Sequence, residues 1–114
     1  MTIKKFEDII AWQKAEQLTM LVYANFSNCR DFAFKDQIQR ASISVMNNIS
    51  EGFERKTNND FKHFLFIAKG SCGEVRSMLY VAKSLNYIET ESFQNLFNIC
   101  TQISRMLSGL IKTL

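Results

Sequence analysis

Residues 93–114 read FQNLFNICTQISRMLSGLIKTL, and they carry the most regular apolar pattern of the chain. Apolar side chains recur here mostly at spacings of three and four residues, at Phe93, Leu96, Phe97, Cys100, Ile103, Leu107, Leu110 and Leu114. This is the period of one face of an α-helix. Its length predicts the seam of an antiparallel helical bundle, with Thr90 as the cap of the helix.

Three further segments have the same helical period. They are residues 6–26, residues 34–53, and a segment that begins at Thr57 or Asn58 and ends near Asn86. The chain has no proline and only four glycines, whereas an all-β protein of this size needs many turn residues. The sequence therefore predicts an all-α fold, an up-down antiparallel four-helix bundle that forms a single domain over residues 1–114.

The apolar faces predict a core, and three glycines carry structural predictions. The positions predicted to be buried are Ile9, Trp12, Val45, Ile49, Leu65, Ala68, Val75, Ile103 and Leu107, and the inward face of the first helix also includes Thr19 and Tyr23. Gly52 is placed where a helix can end in a left-handed residue. Gly70 and Gly73 cost helix propensity, which predicts that another helix crosses close to the backbone there.

Composition limits the classes of function. The net charge of +3 permits a nucleic-acid partner without requiring one. Three widely spaced cysteines indicate free, mostly buried thiols in a reducing compartment. There is no apolar run long enough for a signal peptide or a membrane span, so we expect a cytoplasmic protein without a membrane partner.

The ten phenylalanines exceed what a small monomer readily buries. Either the core is rich in phenylalanine, or part of this surface lies between subunits. The apolar side chains that fall off the main helical faces are Leu18, Leu21, Phe53, Phe66, Ile67 and Tyr80.

A polar stripe runs beside the apolar stripe of the second helix, within QRASISVMNNISEG at residues 39–52. Such a stripe is either solvated or part of a hydrogen-bond network between helices. We predict a structural network, at least partly buried, formed by Arg40, Asn48, Glu51, Ser71 and Glu74. Catalysis by Glu51 and Glu74 as paired carboxylates is the less favoured interpretation, since no nucleophile accompanies them.

No catalytic or metal-binding residues are predicted. His63 is the single histidine, and helix-bundle di-metal sites need two motifs of the Glu-x-x-His type. Asp60-x-x-His63 alone therefore favours a surface position for His63. We expect neither a cofactor nor an enzymatic activity.

Basic residues recur at intervals of seven along the third helix and the loop before it, at Arg55, Lys62, Lys69, Arg76 and Lys83. Since seven residues are slightly less than two helical turns, the row stays on one side of the helix. It is either an ordinary solvated face or a surface that binds a phosphate backbone.

Three motifs together resemble one protein family. They are Phe6-x-x-Ile9-x-x-Trp12-x-x-Ala15, Gln37-x-x-Arg40-Ala41-x-x-Ser44-x-x-x-Asn48-Ile49-x-Glu51-Gly52-x-x-Arg55 and Phe61-x-x-Phe64-Leu65-x-x-Ala68-x-Gly70-Ser71-x-x-Glu74. They look like the motifs of the bacterial four-helix-bundle proteins encoded in intervening sequences of the 23S ribosomal RNA gene. The chain departs from the family pattern at Asn86, where the family favours glycine.

The resemblance implies an up-down bundle that assembles as a homopentameric ring. The chain is also similar to accessory proteins of diversity-generating retroelements, which share the ring and bind nucleic acid and a reverse transcriptase. We therefore expect a non-enzymatic ring that binds RNA or DNA through the basic row of the third helix. The alternative is a protein-interaction scaffold or accessory subunit that docks a partner protein such as a reverse transcriptase.

Overall fold

The computed structural model describes residues 3–114, which form an all-α bundle as predicted. A single 3₁₀ turn at Phe6–Asp8 precedes the four helices. These are α1 (Ile10–Asn25), α2 (Phe32–Phe53), α3 (Asn58–Ser84) and α4 (Thr90–Lys112). The predicted first helix is therefore shorter than expected, because the chain is extended at Ile9 between the turn and α1.

The four helices form a square in cross-section. In the described part of the chain, α1 packs against α2 and α4, and α3 packs against the same two helices, so α1 and α3 are diagonally opposed. The bundle measures 43 × 22 × 19 Å. At about 1.5 Å per residue, α3 alone spans most of that length. Short connections make sequence neighbours antiparallel, as the sequence predicted.

The core consists of the predicted apolar stripes. Of the positions predicted to be buried, all but Trp12 are buried. Trp12 is half-buried because its ring packs edge-on against Phe6 at the surface, with 5.2 Å between the ring centroids. Tyr23 was predicted to face inward and is instead exposed, while Thr19 is buried and donates hydrogen bonds to the carbonyl oxygens of Ala15 and Ser42.

The helix ends follow local chemistry. The Thr57 hydroxyl accepts a hydrogen bond from the Asp60 backbone N–H and so caps the start of α3. Asp31 caps α2 in the same way, through Phe34, and its second carboxylate oxygen accepts a hydrogen bond from the Tyr87 hydroxyl at 2.8 Å. Thr90 does not cap α4: it is the first helical residue, and Glu89 precedes it without a side-chain capping bond.

The predictions for the three glycines are wrong, because the close helix crossing and the left-handed residue occur at other positions than expected. Gly52 is inside α2 and has no left-handed backbone. It lies at the α2–α3 crossing, where a Cβ would be 2.7 Å from the Cβ of Phe64. Gly70 and Gly73 are exposed and have open space around them within the chain, so no helix of the same chain crosses there. The left-handed residue is Asn86, which has φ of 59° at the exit from α3.

Candidate nucleic-acid interface

The predicted basic row lies along the edge of α3 that faces α4. Lys62, Lys69 and Arg76 are half-buried, and Lys83 near the end of α3 is exposed. From Lys62 to Lys83 the row spans about 30 Å at the rise of an α-helix. Arg55 belongs to the loop after α2 and lies on the α2 side of α3, so it is separated from the other four.

Aromatic rings lie beneath several of these cations. The guanidinium carbon of Arg76 is 5.4 Å from the centroid of the Phe97 ring, and Lys83 Nζ is 4.8 Å from the centroid of Phe93. Both phenylalanines belong to α4. At distances within about 6 Å, the face of a ring attracts a cation, so these contacts hold the charges in place at the α3–α4 seam. Sequence reasoning missed them, because the two partners of each pair are on different helices.

The positive charge of the row is largely uncompensated. The structure of residues 3–114 contains two ion pairs, Arg40–Asp36 and Arg55–Glu51. Arg55 also has its guanidinium over the Phe64 ring, at 4.7 Å. None of the four cations on α3 pairs with a carboxylate within the described chain, so the row presents net positive charge to solvent.

The opposite edge of α3 carries polar contacts to α2. The hydroxyls of Ser44 and Ser71 are 2.8 Å apart, and the Asn48 side-chain amide donates to Ser44. Further along, the Gln37 amide donates to a Glu74 carboxylate oxygen at 2.9 Å. Gln37, Ser44 and Glu74 line a shallow, open depression between the two helices.

These contacts do not form the single buried network that we predicted. Asn48 and Ser71 are half-buried, as predicted, and both form hydrogen bonds with the Ser44 hydroxyl. Arg40, Glu51 and Glu74 are exposed, so the prediction that these three are at least partly buried is wrong. Arg40 and Glu51 each bind a neighbour one turn away in sequence, Asp36 and Arg55. Exposed pairs of this kind contribute little stability.

Exposed apolar side chains are concentrated on two helices. Of the large hydrophobic residues that are exposed, those on α1 are Ile10, Met20 and Tyr23, and those on α3 or directly after it are Phe66, Ile67, Tyr80, Val81 and Leu85. Phe32, at the start of α2, is the remaining one in the described chain. Of the residues expected to form surplus surface, Leu18 is fully buried, and Leu21 and Phe53 are partly buried against the core.

Potential catalytic groups are dispersed. His63 is exposed, as predicted, with its ring edge-on to Phe64. Residues 3–114 contain no group of three His, Cys, Asp or Glu side chains that could hold a metal ion. Within these same residues, every helix is too short or too polar for a membrane span. Cys72 and Cys100 are buried in the core, and Cys29 is half-buried at the α1–α2 loop.

Comparison with known proteins places this architecture in a family. Residues 7–109 match the family described as 23S rRNA-intervening sequence protein. The chain belongs to this family. A crystal structure of a protein of unknown function from the S23 ribosomal protein family, from Bacteroides thetaiotaomicron VPI-5482, has the same fold with a TM-score of 0.84. The two are 25% identical, and the match covers 90% of this chain and 98% of the other. A search of curated proteins found no match.

Proposed function

We propose that this member of the 23S rRNA-intervening sequence protein family is a non-enzymatic, ring-forming bundle that binds RNA through the basic row of α3. The observation that carries the proposal is the row itself, Lys62, Lys69, Arg76 and Lys83, on one edge of one helix and without carboxylate partners. A regular row of cations over about 30 Å matches a phosphate backbone, which repeats its charge along its length.

The cations differ in how freely they can reach a phosphate. Arg76 and Lys83 are held over aromatic rings, while Lys62 and Lys69 have no hydrogen-bond or ion-pair partner in the described structure. Both Lys62 and Lys69 are half-buried, and lysines at such positions typically bury the alkyl stem while the ammonium group stays in water. Lys62 and Lys69 are therefore the expected main phosphate contacts, and such contacts read charge without reading sequence.

The direct test is the salt dependence of binding to a single-stranded RNA of mixed sequence. We expect the logarithm of the association constant to fall linearly with the logarithm of salt concentration, with a slope of about −0.7 for each phosphate contact. Fluorescence anisotropy at several salt concentrations measures it. Single-stranded DNA of the same sequence separates RNA-specific from general polyanion binding.

A salt-independent affinity, or no binding at low salt, would contradict the proposal. If DNA binds as tightly as RNA, the row is a surface that binds polyanions in general and does not distinguish ribose from deoxyribose. A double-stranded RNA of the same sequence is the control for shape. It should bind more weakly than the single strand, because a flexible strand can follow the row of cations along α3 and a rigid duplex cannot.

Assembly through the exposed apolar faces is the second part of the proposal. Each of α1 and α3 has one exposed stripe without charged residues, in which positions repeat at spacings of three and four. The stripe of α1 is Ile10, Gln13, Gln17, Met20 and Ala24, and that of α3 is Phe66, Gly70, Gly73, Ser77 and Val81. Because α1 and α3 are diagonally opposed, these faces lie on opposite sides of the bundle. A face on each side favours head-to-tail contacts, which close into a ring when the rotation per copy fits. The resemblance to pentameric family members makes five the expected number.

Mixing two variants tests this assembly. Gly70→Glu places a charge on the α3 face, and Gln17→Glu places one on the α1 face; both sites are exposed. Each variant alone should be monomeric, because every head-to-tail contact needs both faces. An equimolar mixture should form dimers, since one intact face of each kind remains. Light scattering measures the masses, and the wild type should reach five chains of 13.2 kDa.

The matched control is Gln102→Glu, which makes the same change at an exposed α4 position that belongs to neither face and should leave assembly unchanged. A monomeric wild type would contradict the ring. If Gly70→Glu disrupts the assembly and Gln17→Glu does not, the assembly is a symmetric dimer formed by two α3 faces and not a ring.

A protein scaffold is the second candidate function, and the same exposed apolar residues of α3 favour it. A partner such as a reverse transcriptase would then cover them, and the basic row would contribute little. This alternative predicts binding that depends on Phe66 and Val81 and is almost insensitive to salt. A pull-down from the native cell, analysed for both RNA and protein, distinguishes the two candidates.

A further inference from the structure

Two cysteines face each other inside the bundle, between α3 and α4. Cys72 and Cys100 are both fully buried. The Cys72 thiol donates a hydrogen bond to the backbone carbonyl oxygen of Cys100 at 3.1 Å, which brings the two residues into direct contact across the α3–α4 seam. Cys29 is at the α1–α2 loop and takes no part in this contact.

A cation lies beside this pair. Arg76 is one helical turn after Cys72, and its Nε–H is buried without a hydrogen-bond partner within residues 3–114. A buried N–H without an acceptor is costly, and a thiolate on either cysteine would lower that cost. Its positive charge acts on both sulfur atoms.

The two thiols differ in acidity. The hydrogen bond with Cys100 lowers the pKa of Cys72, burial opposes this, and the charge of Arg76 lowers the pKa further. The hydrogen bond with Cys72 and burial raise the pKa of Cys100. The two thiols therefore titrate as a pair, in which Cys72 is the residue whose pKa is lowered.

We propose that Cys72 and Cys100 are a redox-active dithiol, which a hydroperoxide converts into a reversible disulfide that joins α3 to α4 beside Arg76. The Cys72 thiolate attacks one peroxide oxygen, the O–O bond breaks, and the sulfur becomes a sulfenic acid while hydroxide or an alcohol leaves. The Cys100 sulfur then attacks the Cys72 sulfur, an S–S bond forms, and water leaves with the thiol proton. The peroxide is reduced by two electrons and the dithiol is oxidised by two.

The disulfide itself depends neither on RNA binding nor on ring assembly, since both sulfur atoms are in the interior of one chain, although Arg76 also belongs to the basic row of α3. It also gives the unpaired Nε–H of Arg76 a role. Because both sulfur atoms are buried, the peroxide reaches them through local opening of the α3–α4 pair, and oxidation should be slower than at the half-buried Cys29.

The experiment oxidises the folded Cys29→Ser protein with hydrogen peroxide, quenches it, and alkylates it after denaturation. Cys29→Ser prevents disulfides between copies through the loop. Mass spectrometry should find both remaining cysteines unalkylated, one peptide pair linked through Cys72 and Cys100, and full alkylation after dithiothreitol. Alkylation of both cysteines, or sulfinic acid without a linked pair, would overturn the proposal.

The role of Arg76 has a separate readout. Arg76→Gln should slow disulfide formation at neutral pH by about tenfold, because loss of the positive charge raises the pKa of the attacking thiol and so lowers its thiolate fraction. Its rate should approach that of the unchanged protein at higher pH, where charge on Arg76 is no longer needed. The control is Arg105→Gln on the exposed side of α4, which should not change the rate. Equal rates for Arg76→Gln and the control at every pH would show that Arg76 does not activate the attacking thiol.

Discussion

The double variant Lys62→Glu and Lys69→Glu should bind single-stranded RNA about 100-fold more weakly than the wild type at moderate salt. This corresponds to a loss of about 2.7 kcal/mol of binding free energy. Both lysines are on the α3 edge without ion-pair partners, so each reversal removes an attraction and adds a repulsion. In a ring the change is repeated in every subunit, and the avidity of the assembly falls with it. The salt slope should decrease in magnitude by about 0.7 for each lysine removed.

These two positions are better targets than Arg76 and Lys83. The latter pack on Phe97 and Phe93, so reversing their charges would also disturb the α3–α4 seam. Loss of binding would then have two explanations. Neither Lys62 nor Lys69 has its charge over a ring in the described structure. Their replacement should therefore keep the melting temperature of the bundle within about 2 °C.

The chain provides a closely matched control. Arg105 and Lys112 lie on α4, are exposed, and are seven residues apart, as Lys62 and Lys69 are. The double reversal Arg105→Glu and Lys112→Glu gives the same net charge as the α3 variant. If the row binds RNA, the α4 variant should lose only the affinity that reflects overall charge, a fewfold at most. Equal losses in both variants would show that net charge attracts RNA and that the row has no special part.

The helices were predictable because their cause is local. Apolar residues at helical spacing, such as those from Phe93 to Leu107, determine both the element and the face that it buries. The Thr57 cap was predictable for the same reason, since its acceptor and donor are three residues apart. The exact starts of α1 and α4 were not, because the extended backbone at Ile9 and Glu89 depends on how the chain enters the bundle.

The site was predictable only in part. A helical pattern gives the direction of a side chain but not how far the neighbouring helix extends over it. Arg40 and Glu74 point towards the α2–α3 groove, yet the groove is shallow and leaves both exposed. The rings beneath Arg76 and Lys83 come from α4, and only the packed bundle reveals which phenylalanines lie there.

Gly52→Ala should destabilise the protein by about 1–2 kcal/mol, even though alanine is the better helix former. At the α2–α3 crossing, the new Cβ would be 2.7 Å from the Cβ of Phe64 and 3.2 Å from the backbone oxygen of Phe61. Neither atom is the end of a flexible side chain, so the helices must move apart. The cost of that movement, about 2–3 kcal/mol, exceeds the roughly 1 kcal/mol gained in propensity.

Gly109→Ala on α4 is the matched control, since it is also a helical glycine and a Cβ there would meet open space. It should therefore stabilise the bundle by about 0.5–1 kcal/mol, the opposite sign to Gly52→Ala. Thermal unfolding of both variants at one protein concentration should show melting temperatures on opposite sides of the wild type, each kcal/mol being worth about 5 °C. Equal stabilisation by both alanines would mean that the crossing can relax, and that close approach is not the reason for glycine at position 52.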